Sequence, residues 1–548
     1  MREMGSGLTG GSLAVCAVGA LLLYAAARLW WTVWGRPKSI ERELRRQGIP
    51  GTTYGLFNTD LRDEAVATTC AWSRPIPHGH RTPQRAYPFI QHLTEKYGKL
   101  GFSWKGATPT LMVRDPDLVK DIFSVKDSRV QKPPLTPFIN LLTMGVAALE
   151  GQKWIKRRKL IMSAFHIDKL KGMSPAFLTS CGQLIERWDK QLAASKGSWE
   201  LDVWPEFQRL TGDVISKTTF GSCHEEGKRV FQLQEELFFL ALEACKAIYV
   251  PGIRCHEYDP IRKLNLLFSP LIPKPYIHSS HVRHSWYIPT RRNRRITYLN
   301  NEIKSTLREQ IRRKEAAIEK GESVKEDLLG LLLHSVRDGQ GDITIEDVIE
   351  ECRLFYFARH ETTAVTLTWA MVVLSMHQDW QQKAREEVLQ VFGSNPPDLH
   401  NLSHLKIVTM VLNEVQRLYP PAGSLYRHVR QRVKLGGITI PRGVDVVAPV
   451  IYIHHDPEIW GEDADEFNPE RFSQGITKAG KEHNAFFPFG WGPRGCLGQH
   501  FAMMEAKIAL TMILQHFSFE LSPSYAHAPY TGVTLQPQYG AQIILRGL

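Results

Sequence analysis

Cysteine is scarce and scattered in this chain. The eight residues, at positions 16, 70, 181, 223, 245, 255, 352 and 496 of 548, form no disulfide framework. That excludes a small secreted scaffold and favours a reducing compartment. No Gly/Ser-rich or Pro-rich linker divides the chain and no internal repeat recurs, so it reads as one large folded unit, although length alone would allow roughly three or four domains. No Gly-x-Gly-x-x-Gly follows a strand pattern, which excludes a dinucleotide site of that type. Zinc-finger spacing and long basic runs are also missing, so the net charge of +12 does not point to nucleic acid. Spread over short clusters, it suits an acidic membrane surface or an acidic protein partner.

Charge is missing in one long stretch. Leu8 to Ala27 carries none, which is about the ~20 residues a helix needs to cross a bilayer. Leu29-Trp-Trp-Thr-Val-Trp34 follows, with three tryptophans suited to the interface. One basic residue, Arg2, precedes the span, whereas Arg28, Arg36, Lys38, Arg42, Arg45 and Arg46 follow it. The positive-inside rule therefore predicts a single-pass anchor over residues 1–36, its transmembrane helix spanning about residues 8–34, with residues 37–548 facing the cytosol. A cleaved signal peptide ending near Ala25-Ala26-Ala27 is the competing reading, and it fits poorly with the cysteine pattern.

Past the anchor, helical periodicity is predicted over Gln152–Ala194, Val230–Ile248, Asn293–Lys320, Ile345–Met376 and Leu405–Tyr419. Pro109–Val113 reads as a strand, and Val433–Ile440 as a hairpin turning at Gly436-Gly437. Ile345–Met376 contains neither proline nor glycine, and Thr344-Ile-Glu-Asp347 resembles a capping box at its start. Apolar on most sides, this helix is expected to cross the middle of the protein.

The most informative residue is Cys496, in Phe489-Gly-Trp-Gly492-Pro-Arg494-Gly-Cys496-Leu-Gly498. Its glycines allow close backbone approach, and an apolar helix begins just beyond the cysteine. A helix N-terminus favours the thiolate, the form that binds a metal. Arg494 is placed to pair with an anionic group; a merely structural cysteine would need neither the glycines nor the arginine. The spacing Phe-x-x-Gly-x-Arg-x-Cys-x-Gly resembles that of the haem-thiolate monooxygenases, the cytochrome P-450 superfamily. The resemblance implies a mainly α fold with small β-sheets and one large haem domain behind the membrane anchor. It also implies haem b, with Cys496 as the axial iron ligand pushing electron density toward O–O cleavage.

Other constellations acquire roles through that resemblance. Phe357-Ala-Arg-His-Glu-Thr-Thr363 interrupts the long helix with polar residues. On residues alone, this is a threonine bonding back to a carbonyl four residues earlier or a proton relay. The family pattern makes Ala358 the residue beside the haem, Thr362 the hydroxyl that hydrogen-bonds dioxygen, and Glu361 a proton relay. Arg359 departs from it, since the family almost always has glycine there. No acid lies at i±3 or i±4 to pair with Arg359, so impaired oxygen activation or an altered pocket is expected. Trp154-x-x-x-Arg158, Arg427 and Arg494 match the family's haem-propionate contacts. Glu414-x-x-Arg417 and Arg471 match its buried structural network. Lys153, Lys156, Arg157, Lys159, Arg430 and Arg432 are candidates for a positive face toward an acidic electron donor.

Pro251 to Pro289 differs from its surroundings, with six prolines and His278, His281 and His284 at three-residue spacing. Three readings stand there: a membrane-dipping loop, an extra stretch from an imperfect gene model, and a metal site completed by Cys255. The function implied is a monooxygenase of the endoplasmic reticulum membrane. It would take O2, a hydrophobic small molecule, and electrons from NADPH through NADPH-cytochrome P-450 reductase. Ile453-His-His-Asp-Pro and Trp491-Gly-Pro-Arg-Gly-Cys-Leu-Gly-Gln resemble the plant clan acting on terpenoids and isoprenoid hormones. Two alternatives remain: a haem-thiolate isomerase or dehydratase needing no dioxygen, and a haem-binding membrane protein without catalysis because of Arg359 and the 251–289 segment.

Overall fold

The computed structural model describes residues 7–55, 59–134, 140–141, 145–220, 224–246, 290–320, 327–338, 343–481 and 484–548. The 251–289 segment, with its histidines and Cys255, lies outside the described residues, as do the side chains of Arg359 and His360.

The axis of the molecule is the helix Ile345–Met376, with the bounds that its composition predicts. Thr344 accepts from Asp347 N at 3.2 Å, and Asp347 accepts from Thr344 N at 2.9 Å, so the expected capping box forms. Caps of this kind are worth about 1 kcal/mol. Most of the helix is buried all round, including Trp369, Met371 and Leu374. Val203–Phe220, Lys406–Leu418 and Gln499–His516 pack against it.

Helices dominate the remainder, with two revisions of the expected spans. The Gln152–Ala194 run divides into Gly151–Ala164, Ile167–Gly172 and Ser174–Ala194. Pro175 sits in the first turn of the third, where its missing N–H costs nothing. Near the N-terminus, Gly7–Trp30 does not stop at the tryptophans. It runs through a π turn, Trp31–Gly35, into Arg36–Arg46. By length and composition this stretch can cross a membrane.

Among the described residues, four small sheets accompany the helices. The largest has the order Leu100–Lys105, Thr108–Val113, Asp445–Ala448, Leu425–Val429, Val130–Gln131. Its last two strands pair antiparallel, Val130 with Val429 and Gln131 with His428. That register brings Lys132, the next residue on, close to Arg427. The hairpin Val433–Leu435/Ile438–Ile440 turns at Gly436 and Gly437, with φ of +50° and +80°.

Candidate active site: a cysteine loop, the long helix and a cluster of cations

Glycine shapes the loop that ends at Cys496. Gly490 and Gly492 have φ of +76° and +73°, and a β-carbon on Gly492 would collide with the Phe123 carbonyl. Gly490 N donates to Phe487 O and Gly495 N to Gly492 O, both at 3.0 Å, and Cys496 N donates to Phe489 O at 2.8 Å. Helix Gln499–His516 starts three residues further on, so the sulfur lies near a positive helix end.

Cys496 opens into a cavity of about 360 Å³ that is mostly apolar. Trp154, Arg158, Ala358, Thr362, Phe489 and Arg494 all line it. Residues spread over some 340 positions of sequence therefore meet around one sulfur. Thr362 Oγ1 donates to Ala358 O at 2.9 Å, and Thr366 repeats the pattern onto Thr362 O at 3.1 Å. Glu361 does not line this cavity. It accepts from Thr534 Oγ1 at 2.8 Å and from Gln536 Nε2, and burial raises its carboxyl above the usual range.

At one side of the cavity, cations outnumber carboxylates. Arg158 Nη2 donates to Gly495 O at 2.7 Å. Arg494 stacks 4.4 Å from the Trp154 ring, donates to Leu149 O at 3.2 Å and pairs with Glu150. Arg427 stands behind the wall, 4.3 Å over the Phe123 ring, donating to Tyr426 O at 2.9 Å. Lys132, which no motif marks, lines the cavity and donates to Ala147 O at 2.6 Å. Burial, then Arg494 and Arg427, lowers Lys132 to about 8. Burial, then Arg494, lowers Arg427 to about 10. Burial lowers Arg158 and Arg494 as well, the former against the opposing influence of Cys496. Among the described residues, four cations around a single nearby acid, Glu150, suit an apolar body carrying carboxylates at one edge.

Behind the loop, Glu414 and Arg417 are fully buried. Arg417 Nε and Nη2 grip the carboxylate at 2.8 and 2.7 Å. Its remaining donors reach the carbonyls of His454, Ala464 and Glu466 at 2.7, 2.6 and 3.0 Å. Arg471 Nε approaches Glu414 at 3.5 Å, while its Nη1 and Nη2 donate to Trp460 O and Asp463 O at 2.7 and 2.6 Å. His454 Nε2 accepts from Phe487 N at 2.9 Å, linking this network to the cysteine loop.

Residues 77–544 match the family model described as "Cytochrome P450". The chain is 46% identical over 553 residues to "Cytochrome P450 CYP72A616" of Paris polyphylla, with full coverage of both chains. It is 45% identical to "Cytochrome P450 CYP72A219" of Panax ginseng, over 97% of this chain and 98% of the relative. It is 42% identical to the "7-deoxyloganic acid hydroxylase" of Catharanthus roseus, over 96% and 97%. The chain belongs to the cytochrome P-450 family.

As a cytochrome P-450 it is a haem-thiolate monooxygenase with plant relatives of the CYP72A group. The residues present fit that cofactor: one cysteine sulfur opens into an apolar cavity, and the cation excess lies to one side. Two features of this cytochrome P-450 escape sequence reasoning. Lys132 and Glu150 belong to no motif, and they reach the cavity edge only because the register of strand Val130–Gln131 and the start of helix Gly151–Ala164 bring them there. Arg157, grouped above with surface cations, is buried. It donates to Glu351 at 2.8 Å and pairs with Asp347 at 3.0 Å. Lys153, Lys156 and Lys159 are exposed, whereas Arg432 pairs with Glu43 and Arg430 donates to Gln131 at 3.1 Å.

Proposed function

We propose that this cytochrome P-450 hydroxylates a terpenoid or isoprenoid-hormone substrate at the endoplasmic reticulum membrane. It would be held by its N-terminal helix with the body toward the cytosol, and would use O2 and electrons from NADPH delivered by NADPH-cytochrome P-450 reductase. The observation that carries this reading is the convergence of Cys496, Thr362 and the cation cluster on one apolar cavity. The name of the Catharanthus relative supports hydroxylation and the terpenoid class.

Haem b, held through the Cys496 thiolate, would supply the oxygen chemistry there. Arg158, Arg494, Arg427 and Trp154 are assigned to its propionates, and Lys132 joins them. Phe489 closes the apolar wall near the sulfur, and Ala358 leaves room on the long helix. Thr362 Oγ1 holds a proton at the cavity wall. Glu361 keeps its proton readily because it is buried. It could pass that proton inward only by leaving Thr534 and Gln536, so the relay requires a rotamer change. The small-molecule partner is apolar, as the walls are.

The test is the reduced-plus-carbon-monoxide difference spectrum of membranes expressing the chain, with Cys496→Ser beside it. The long-wavelength Soret band in the wild type only, followed by NADPH- and reductase-dependent oxidation within a terpenoid panel, is the expected result. A short-wavelength band in both proteins, or turnover without NADPH, would sink the proposal. Arg359→Gly in the same assay gauges the family departure, and higher turnover than wild type is expected.

A further inference from the structure

A second cavity, about 760 Å³, opens between the end of the anchor helix and the five-stranded sheet. Its lining includes Arg36, Lys132, Arg430 and Arg442, with Glu150 the single carboxylate and Thr108 and Asn140 as further polar groups. Glu150 is already engaged by Arg494, and His428 on the same wall is matched by Asp445 at 2.6 Å. Among the described residues Arg36, Arg430 and Arg442 have no acidic partner. Arg36 donates to the Arg442 carbonyl at 3.5 Å and Arg430 to Gln131 Oε1 at 3.1 Å, so both guanidinium groups retain unused N–H donors.

The position of the cavity is as informative as its charge. Arg36 begins the helix that continues the apolar span through Trp31–Gly35. Trp30 and Trp31 are exposed just before it, at the depth where aromatic side chains meet headgroups. A cleft lined by three unmatched arginines one turn beyond such a belt lies at the level of lipid phosphates. We propose that this cleft binds the phosphate of an anionic phospholipid from the membrane that the anchor enters. The inference rests on the anchored reading given above. Because Lys132 also lines the Cys496 cavity, the bound phosphate would lie beside the propionate-facing cations and lower the positive potential there.

The full-length holoprotein is taken from nanodiscs of phosphatidylcholine with a minor share of phosphatidylglycerol, and retained lipid is counted by native mass spectrometry. The proteins compared are the wild type, Arg36→Gln/Arg430→Gln/Arg442→Gln, and a charge-matched control, Arg294→Gln/Arg312→Gln/Arg313→Gln. Each arginine near an anionic surface is worth about fivefold in binding, so the cleft variant should retain phosphatidylglycerol on the order of a hundredfold more weakly. The control should bind as the wild type does. The carbon-monoxide band establishes that each protein is folded, and single substitutions of the exposed Arg430 and Arg442 serve if the triple variant does not assemble. Equal retention by all three proteins overturns the site. Displacement by inorganic phosphate as effective as by lipid overturns the membrane source. A cleft variant that keeps its lipid but loses reduction by the reductase reassigns the cleft to a protein partner and overturns the proposal. If the wild type retains no lipid while its carbon-monoxide band is intact, the inference falls and the haem assignment stands.

Discussion

Two groups of charge flank the cysteine loop, one buried and one half-buried, and they are completed in different ways. Behind it, Arg417 spends its donors on Glu414 and three backbone carbonyls, and Arg471 braces the same carboxylate. On the cavity side, Arg494 pairs with Glu150, while Lys132, Arg158 and Arg427 make do with carbonyls and aromatic faces. A matched buried group is structural: its cost of burial is offset before any ligand arrives. An unmatched one keeps part of that cost until a ligand with carboxylates is bound. On the proposed assignment of these cations to the haem propionates, the same folding reaction leaves one side finished and the other conditional on cofactor.

Removing charge should separate the two sides by sign. Glu414→Gln leaves Arg417 and Arg471 without their shared carboxylate, and losing one member of a buried pair costs about 3–5 kcal/mol. Little folded, haem-loaded protein should be recovered, as read by thermal unfolding and haem content; an unchanged melting temperature would make the network ornamental. Arg427→Gln should do the reverse in the apoprotein, leaving it at least as stable because a crowded cation is gone. Haem dissociation should then quicken by about tenfold or more, the value of a charge-assisted hydrogen bond, followed as transfer to apomyoglobin. If apoprotein stability falls with haem retention, the comparison breaks.

The third effect is a pH dependence. Lys132 is lowered to about 8 in the folded chain against an ordinary 10.5, so between those values the unfolded state binds the extra proton. Apoprotein stability should therefore rise with pH across that window, and Lys132→Met should remove this contribution. With propionates bound the lysine keeps its proton, and the holoprotein should lack the rise. Melting curves of both forms on either side of pH ~9 would show it.

The finished side was largely legible in the sequence. Glu414-x-x-Arg417, Arg471 and the loop ending at Cys496 are local patterns, and the 345–376 helix is fixed by composition and its capping box. The conditional side was legible only where a motif marks it, at Trp154, Arg158, Arg427 and Arg494. Lys132 was hidden because its role is set by strand register, and Arg157 was misplaced because Glu351, which buries it, lies 194 positions away. Periodicity assigns a side chain to a helix face; it does not say what covers that face.

The continuous helix at the N-terminus has a mechanical consequence. The 32 residues of Val15–Arg46 form a rod of about 48 Å at ~1.5 Å per residue. Its far end is clasped to the body where Tyr54 donates to the Val33 carbonyl and Arg45 Nη2 donates to Gly51 O at 2.9 Å. If the span crosses a bilayer as proposed, this clasp would pass the tilt of the span to the body as a rotation against the membrane plane. For a body anchored in this way, lipid thickness sets the angle at which the mouth of the cavity meets the oil.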